Sequence, residues 1–290
     1  MKTISFTGIG TVWNISIDGK EFDEAMERML RGFVASFEKR YSRFLPESEA
    51  NSFREKSAGS YSVSHDFSRM LARAEMLREL TDGQFDPAVA TLLDRAGYDA
   101  AYSFVEREGI GAISFPKWSY ADGIVSIDGP IAFDFGGIGK GYCIDRVADL
   151  LRIDGFEYFL VEAGGDMFAT MKADGSPYRV AIEYPGQPEE AIGVIELKHQ
   201  ALAVSDSFRR RWGKWHHIVN PLTKASVEEV LGCAVMAGSA FDADSGTSAL
   251  FLSAESGRKE IEKILGIEYL LFESSGNFLS SAHWPGEIFE

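Results

Sequence analysis

The sequence predicts an α+β fold, with mixed sheets and flanking helices. Stretches with apolar residues at helical spacing alternate with short runs of β-branched and aromatic residues. Nothing repeats at a fixed period, and no low-complexity linker divides the 290 residues. Both kinds of element therefore belong to one domain, 1–290, or to two intimately packed halves of it.

Ile4 to Ile17 alternates and is rich in Thr, Ile, Val and Trp, which predicts a strand, or a strand pair bent at Gly8 and Gly10. From Glu21 to Tyr41, apolar Phe22, Met26, Met29, Leu30, Phe33 and Phe37 recur at helical spacing. A polar loop, Ser42 to Asn51, leads to a second amphipathic helix, His65 to Leu80, which stops before Asp82-Gly83. Gly83 to Pro87 is a turn, and Pro87 opens a short helix through Leu93. Strands are expected at Ile124–Ile127 and Ile131–Phe135, then a glycine turn, a helix from Lys140 to Leu151 and a strand at Tyr158–Val161. Later strands are expected near 178–183, 192–197, 202–204, 216–219 and 231–236, with helices at 241–252 and 257–265.

Hydrophobic residues make up 45% of the chain and aromatic residues 12%, enough for a sizeable core and too much for disorder. With 29 basic against 44 acidic residues the formal charge is −15, which disfavours general nucleic-acid binding. An anionic ligand needs a local device instead: a helix N-terminus, a placed lysine or a metal ion. Cys143 and Cys233, far apart in apolar surroundings, read as small buried hydrophobes. The N-terminus carries no secretion signal and no stretch is long enough to span a bilayer, so the expectation is a cytoplasmic protein without a membrane segment, or an exported one if a leader has been trimmed.

Five segments could carry chemistry. Asp134-Phe135-Gly136-Gly137-Ile138-Gly139-Lys140-Gly141 lies between an apolar strand and a helix. Its glycines allow close backbone approach, a helix start offers N–H groups suited to a pyrophosphate, and Lys140 adds a point charge. A plain tight turn needs the same residues, and the spacing fits neither the dinucleotide fingerprint nor a Walker loop. Glu162-Ala163-Gly164-Gly165-Asp166 is a second glycine turn of the same ambiguity. In Asp242 to Leu250, Asp244 and Ser248 stand one helical turn apart and offer hard oxygen donors to Mg²⁺; capping by Asp242 or Asp244 is the other reading. In Trp215 to Thr223, strand neighbours His216 and His217 point to opposite faces, so one can act as acid or base while the other is structural. In Thr81 to Pro87, Phe85 can stack on a planar ring with Gln84 or Asp86 at its edge, or simply anchor the turn.

Together and in this order, these segments resemble the FAD:protein FMN transferases, the ApbE-like family. The family's Met-Gly-Thr is similar to Ile9-Gly10-Thr11, and its Ser-Arg-aromatic loop to Ser42-Arg43-Phe44. Its Gly-Ala-Phe-Asp-Pro turn resembles Gly83 to Pro87, its Asp-Leu-Gly-Gly-x-x-Lys-Gly run Asp134 to Gly141, and its Ala-Gly-Gly-Asp turn Ala163 to Asp166. Its His-Ile-x-Asp-Pro-x-Thr-Gly resembles His217 to Lys224, with Asn220 in place of the aspartate and Lys224 in place of the glycine. Ser248 stands for a threonine, and Ser205-Asp206-Ser207 for a Thr-Ser-Gly.

The resemblance implies a T-fold-related architecture and FAD as substrate, bound by Ile9, Phe44, Gln84, Phe85, Asp86, Asp134, Lys140 and Ile218. It implies Mg²⁺ held by the Gly137 carbonyl, Asp244 and the Ser248 hydroxyl, with His217 and Asp244 catalytic. The implied reaction moves FMN from FAD to a Thr or Ser hydroxyl of an acceptor flavoprotein and releases AMP. Two alternatives use the same site: an FAD pyrophosphatase giving FMN and AMP, and a non-catalytic FAD-binding protein.

Overall fold

The computed structural model describes residues 1–289. Seven α-helices occur among them: α1 (Glu24–Tyr41), α2 (Glu49–Ser52), α3 (His65–Leu80), α4 (Ala90–Ala96), α5 (Gly139–Ile153), α6 (Ala240–Leu252) and α7 (Arg258–Leu265). The central sheet is antiparallel throughout. Its strands lie in the order Lys2–Gly8, Thr11–Ile17, Phe159–Ala163, Asp166–Ala169, Gln200–Asp206, Val230–Ala237, Glu268–Glu273 and Phe278–Ser280.

Strand alternation sorts this sheet into two buried faces. Val161, Ala163, Ala201, Ala203, Cys233, Val235 and Ala237 join the main core on the side of α1, α5 and α6. Leu160, Leu202, Val204, Ala234 and Met236 pack the opposite way, against Tyr178, Ile182, Ile195 and Leu197 of a second sheet. That sheet pairs Tyr178–Tyr184 with Gln187–Leu197 and with Glu287–Ile288. A third small sheet of Gly59–Ser62, Ile124–Ile127 and Trp118–Ala121 packs beside α3.

The mixed α+β class holds, and so do most elements. Helix α1 starts three residues later than periodicity suggests, because the Asp23 carboxylate accepts the Met26 N–H at 2.7 Å and caps it there. Ile131–Phe135 is not a strand. Its apolar run is buried, but its amides turn to loops: Ile131 N–H donates to Phe53 O at 3.0 Å and Asp134 N–H to Pro87 O at 2.7 Å. The expected strand at 216–219 is two fragments, Trp215–His216 and Val219–Asn220, in separate ladders that exclude His217. Hydropathy reports burial, and an extended buried segment reads alike whether its partner is a strand or a loop. The strands at 59–62, 118–121, 166–169 and 268–273 go unpredicted for the converse reason: they are short or lie next to turn residues.

Helix α6 fixes the centre of the molecule. It is buried almost all round, against the 200–206 and 230–237 strands on one side and α5 on another. Its start is tied to α5, since the Asp145 carboxylate accepts the Ala240 and Phe241 amides at 2.8 and 2.9 Å. Contact with α5 runs through Gly141, where a Cβ would lie 2.2 Å from the Ala240 carbonyl oxygen and 2.6 Å from Asp244 Cβ. Neither neighbour can give way, as one is backbone and the other the root of a buried side chain. Gly141→Ala should therefore cost on the order of 2–3 kcal/mol of stability, read by urea unfolding. A variant as stable as the parent would contradict this packing.

Candidate active site

The glycine bend and α6 meet in two direct hydrogen bonds. Ser248 Oγ donates to the Gly137 carbonyl at 2.6 Å, and the Gly141 N–H donates to Asp244 Oδ2 at 2.8 Å. Both glycines are required. A Cβ on Gly137 would stand 2.6 Å from Ser248 Oγ and 3.4 Å from the Phe85 ring, so the bend also seats Phe85. The cap of α6 is Ser239, whose side chain accepts the Asp242 N–H at 3.0 Å. Asp244 lies inside the helix, which removes the capping reading for it. Asp242 takes part in the cap, its carboxylate accepting the Ser239 hydroxyl at 2.6 Å, and also pairs with Arg73 at 2.7 Å.

The charges here do not balance. Lys140 Nζ pairs with the fully buried Asp166 and lies 3.9 Å from Asp244 Oδ1. Burial would lower the Lys140 pKa, but Asp166 and Asp244 together hold it above its ordinary value. Burial pushes the Asp244 carboxyl up to about 7, with Asp166 adding to the effect and Lys140 and the Gly141 N–H opposing it. One ammonium thus serves two buried carboxylates. The Asp244 carboxylate, the Gly137 carbonyl and the Ser248 hydroxyl are hard oxygen donors, the ligand chemistry that a hard divalent cation takes. The point charge expected of Lys140 is shared with Asp166, with which its ammonium pairs. The helix start is corrected: Gly141 N–H is taken by Asp244, and Gly139 N–H by Phe135 O at 2.7 Å.

Asp134 belongs to a hub centred on Arg43. The buried guanidinium donates to Asp134 Oδ2, to Asp94 Oδ1 at 2.7 Å and to Tyr98 O at 2.7 Å, and lies 4.1 Å from the Phe44 ring centroid. Phe44 in turn stacks on Tyr102. Asp86 caps the Pro87–Val89 turn, accepting Ala88 N–H at 2.8 Å and Trp118 Nε1–H at 2.9 Å, and burial raises its pKa. Gln84 Oε1 accepts from Asn220 Nδ2 at 3.0 Å, which joins the 81–87 turn to the 215–226 arm. Ile9 sits in the turn between the first two strands at φ +52°, and Ile9 and Ile218 both pack against the main core.

His216 is structural, for both its ring nitrogens are engaged. Nε2 contacts Val227 O at 2.6 Å and Nδ1 accepts the Ile218 N–H at 3.3 Å. His217 differs: its buried Nδ1 has no partner. Burial, then the nearby Arg210, push its pKa down to about 3. A cavity of about 630 Å³ opens between the 214–230 arm and the end of α6. Gln84 and Asn220 line it, whereas the glycine bend and Asp244 do not.

The geometry thus brings Gly137, Lys140, Asp244, Ser248 and Phe85 into one contact set, ties Asp134 to Phe44 through Arg43, and ties Gln84 to Asn220. Sequence reading places Arg43 in the family-like loop without giving it a role, and misses Asp94, Tyr98 and the pairing of Asp166. Arg43 stands beside the Phe44 that was singled out, and Asp166 closes the second glycine turn.

A family model described as the ApbE family matches residues 9–271. The chain belongs to this family. Among similar curated proteins, the FAD:protein FMN transferase of Vibrio cholerae is 26% identical over 85% of this chain and 80% of its own length. That of Escherichia coli K12 is 23% identical over 93% and 83%. Two solved structures share the fold. The flavin transferase ApbE from Vibrio cholerae superposes with a TM-score of 0.83, at 23% identity, covering 97% of this chain and 96% of that one. The ApbE protein from Thermotoga maritima gives 0.85 at 22% identity, covering 97% of each.

Two outcomes follow from the site's charges. Lys140→Met strands the buried Asp166 and should cost about 3–5 kcal/mol. Adding Asp166→Asn should recover much of the loss; a single variant with unchanged urea midpoint would show that the pair does not form. The second concerns His217. An unfolded imidazole binds a proton below about pH 6.5, which the folded one refuses until about pH 3. Its contribution to stability is therefore full above pH 6.5 and is lost as the pH falls toward 3. NMR assigned by a His217→Gln variant should find this imidazole still neutral at pH 5, and titration near 6.5 would refute the burial argument.

Proposed function

We propose that this chain transfers FMN from FAD to a Ser or Thr hydroxyl of an acceptor flavoprotein and releases AMP. The observation that carries the reading is the joining of the glycine bend to α6. It gathers the Gly137 carbonyl, the Asp244 carboxylate and the Ser248 hydroxyl beside a lysine that is already neutralised. The relatives named FAD:protein FMN transferase support the substrate and the reaction class.

Gly137, Asp244 and Ser248 would hold Mg²⁺, which when bound supplies positive charge against the pyrophosphate as its bridging bond breaks. The attacking hydroxyl oxygen bonds to the FMN phosphorus, and the anhydride bond to the adenylate phosphate breaks. AMP departs with the bridging oxygen. The hydroxyl proton passes to His217, whose Nδ1 is open and whose ring is neutral. The dinucleotide's negative charge, once in place, raises the imidazole's proton affinity from its low resting value. Arg43 holds Asp134 and the Phe44 ring in fixed relation for the flavin side of the site.

Asp244→Ala, co-expressed with a flavinylation-competent acceptor, should reduce labelling by roughly 100-fold or more, read as flavin fluorescence of the acceptor band in a denaturing gel and as added FMN by mass spectrometry. Undiminished fluorescence would remove Asp244 from the chemistry. AMP release from FAD that is equally fast with and without the acceptor would favour the pyrophosphatase reading instead.

A further inference from the structure

Three consecutive arginines follow the Gln200–Asp206 strand, and they have different fates. Arg209 pairs with Glu183 and lies 3.3 Å from Asp206. Arg211 is exposed and stands opposite His216 in a two-residue ladder. Arg210 is half-buried, and among the described residues its guanidinium has neither a carboxylate nor a hydrogen-bond partner.

The His217 N–H donates to the Arg210 carbonyl at 3.3 Å, which sets the two residues side by side. The Arg210 charge reaches Lys140, His217 and Tyr98, and the last of these also feels Arg43 and Asp134. Each of the other cations is satisfied: Arg43 by Asp94 and Asp134, Lys140 by Asp166. In a chain with 44 acidic residues against 29 basic ones, a half-buried guanidinium that pairs with no carboxylate among the described residues keeps its donors free for an incoming anion. Its planar fork of N–H donors matches two oxygens of a phosphate.

We propose that Arg210 binds the pyrophosphate of the flavin dinucleotide, the role that sequence reading gave to Lys140. This inference rests on the reading that the site takes FAD. It gives the site a phosphate-gripping cation on the 208–217 arm, separate from the carboxylate set on α6.

Binding of FAD and of riboflavin, which lacks phosphate, separates the possibilities when followed by flavin fluorescence in the presence of Mg²⁺. Arg210→Ala should raise the Kd for FAD about tenfold or more, equal to about 1.4 kcal/mol, and leave that for riboflavin within about twofold. The salt dependence of FAD binding should become shallower, inorganic pyrophosphate should compete less well, and Arg210→Lys should recover part of the loss. Without FAD, the unfolding midpoint of Arg210→Ala should be no lower than the parent's, since among the described residues the side chain makes no hydrogen bond or ion pair. FAD binding left unchanged by Arg210→Ala would overturn this inference alone, as would equal losses for FAD and riboflavin. No FAD binding by the unaltered chain would overturn it together with the proposed function.

Discussion

The approach of the glycine bend to helix α6 is the constraint on which the rest of the site depends. Two glycines make it possible, at positions where any side chain would collide with Ser248 or with the α6 backbone. The hydrogen bonds from Ser248 Oγ and from Gly141 N–H lock it. The glycines usually taken as a loop that leaves room for a ligand here leave room for a helix. That helix carries a carboxylate into the core, which is costly without a compensating charge.

Compensation is partial, and function enters through the remainder. Lys140 answers Asp166, so Asp244 keeps an uncompensated burial that burial alone would resolve by protonation. On the 208–217 arm, Arg210 shows the opposite imbalance, a half-buried cation without an anion among the described residues. Direct pairing of the two would cancel both, yet the fold holds them on different elements, one on α6 and one on the 208–217 arm. A cation bound to Asp244 and an anion bound to Arg210 satisfy both groups, and a magnesium–pyrophosphate unit is both at once.

Much of the frame is legible in sequence because it follows from spacing. Helices α1, α3, α5 and α6 lie where apolar periodicity and caps put them, and the turn at Ile9-Gly10 lies within the predicted strand pair. The family's preferences also acquire a physical basis. Lys224, standing where relatives' pattern has glycine, adopts φ +54°, the left-handed region that glycine enters without strain. Asp206, within the segment that stands for the family's Thr-Ser-Gly, uses its carboxylate to accept the Phe208 and Arg209 amides at 2.8 Å each and so closes the turn itself. What sequence could not show is pairing across distance. The bonds of Arg43 to Asp94 and Asp134, and of Lys140 to Asp166, join segments separated by 51, 91 and 26 positions. No local pattern encodes which of the acidic residues neutralises which base.

The same limit applies to Lys140, whose charge is conspicuous in the sequence while its partner is not. A lysine in a glycine turn before a helix reads as an anion-binding charge, and here a buried carboxylate shares that charge. Arg210, in a run of three arginines on a short irregular arm, reads as solvated surface. Once the partners are known the two exchange significance: the conspicuous cation is an internal counter-ion, and the inconspicuous one is left with its hydrogen-bonding capacity unspent. In an acidic protein that must admit a polyanion, the cation that matters is the one the fold has declined to pair.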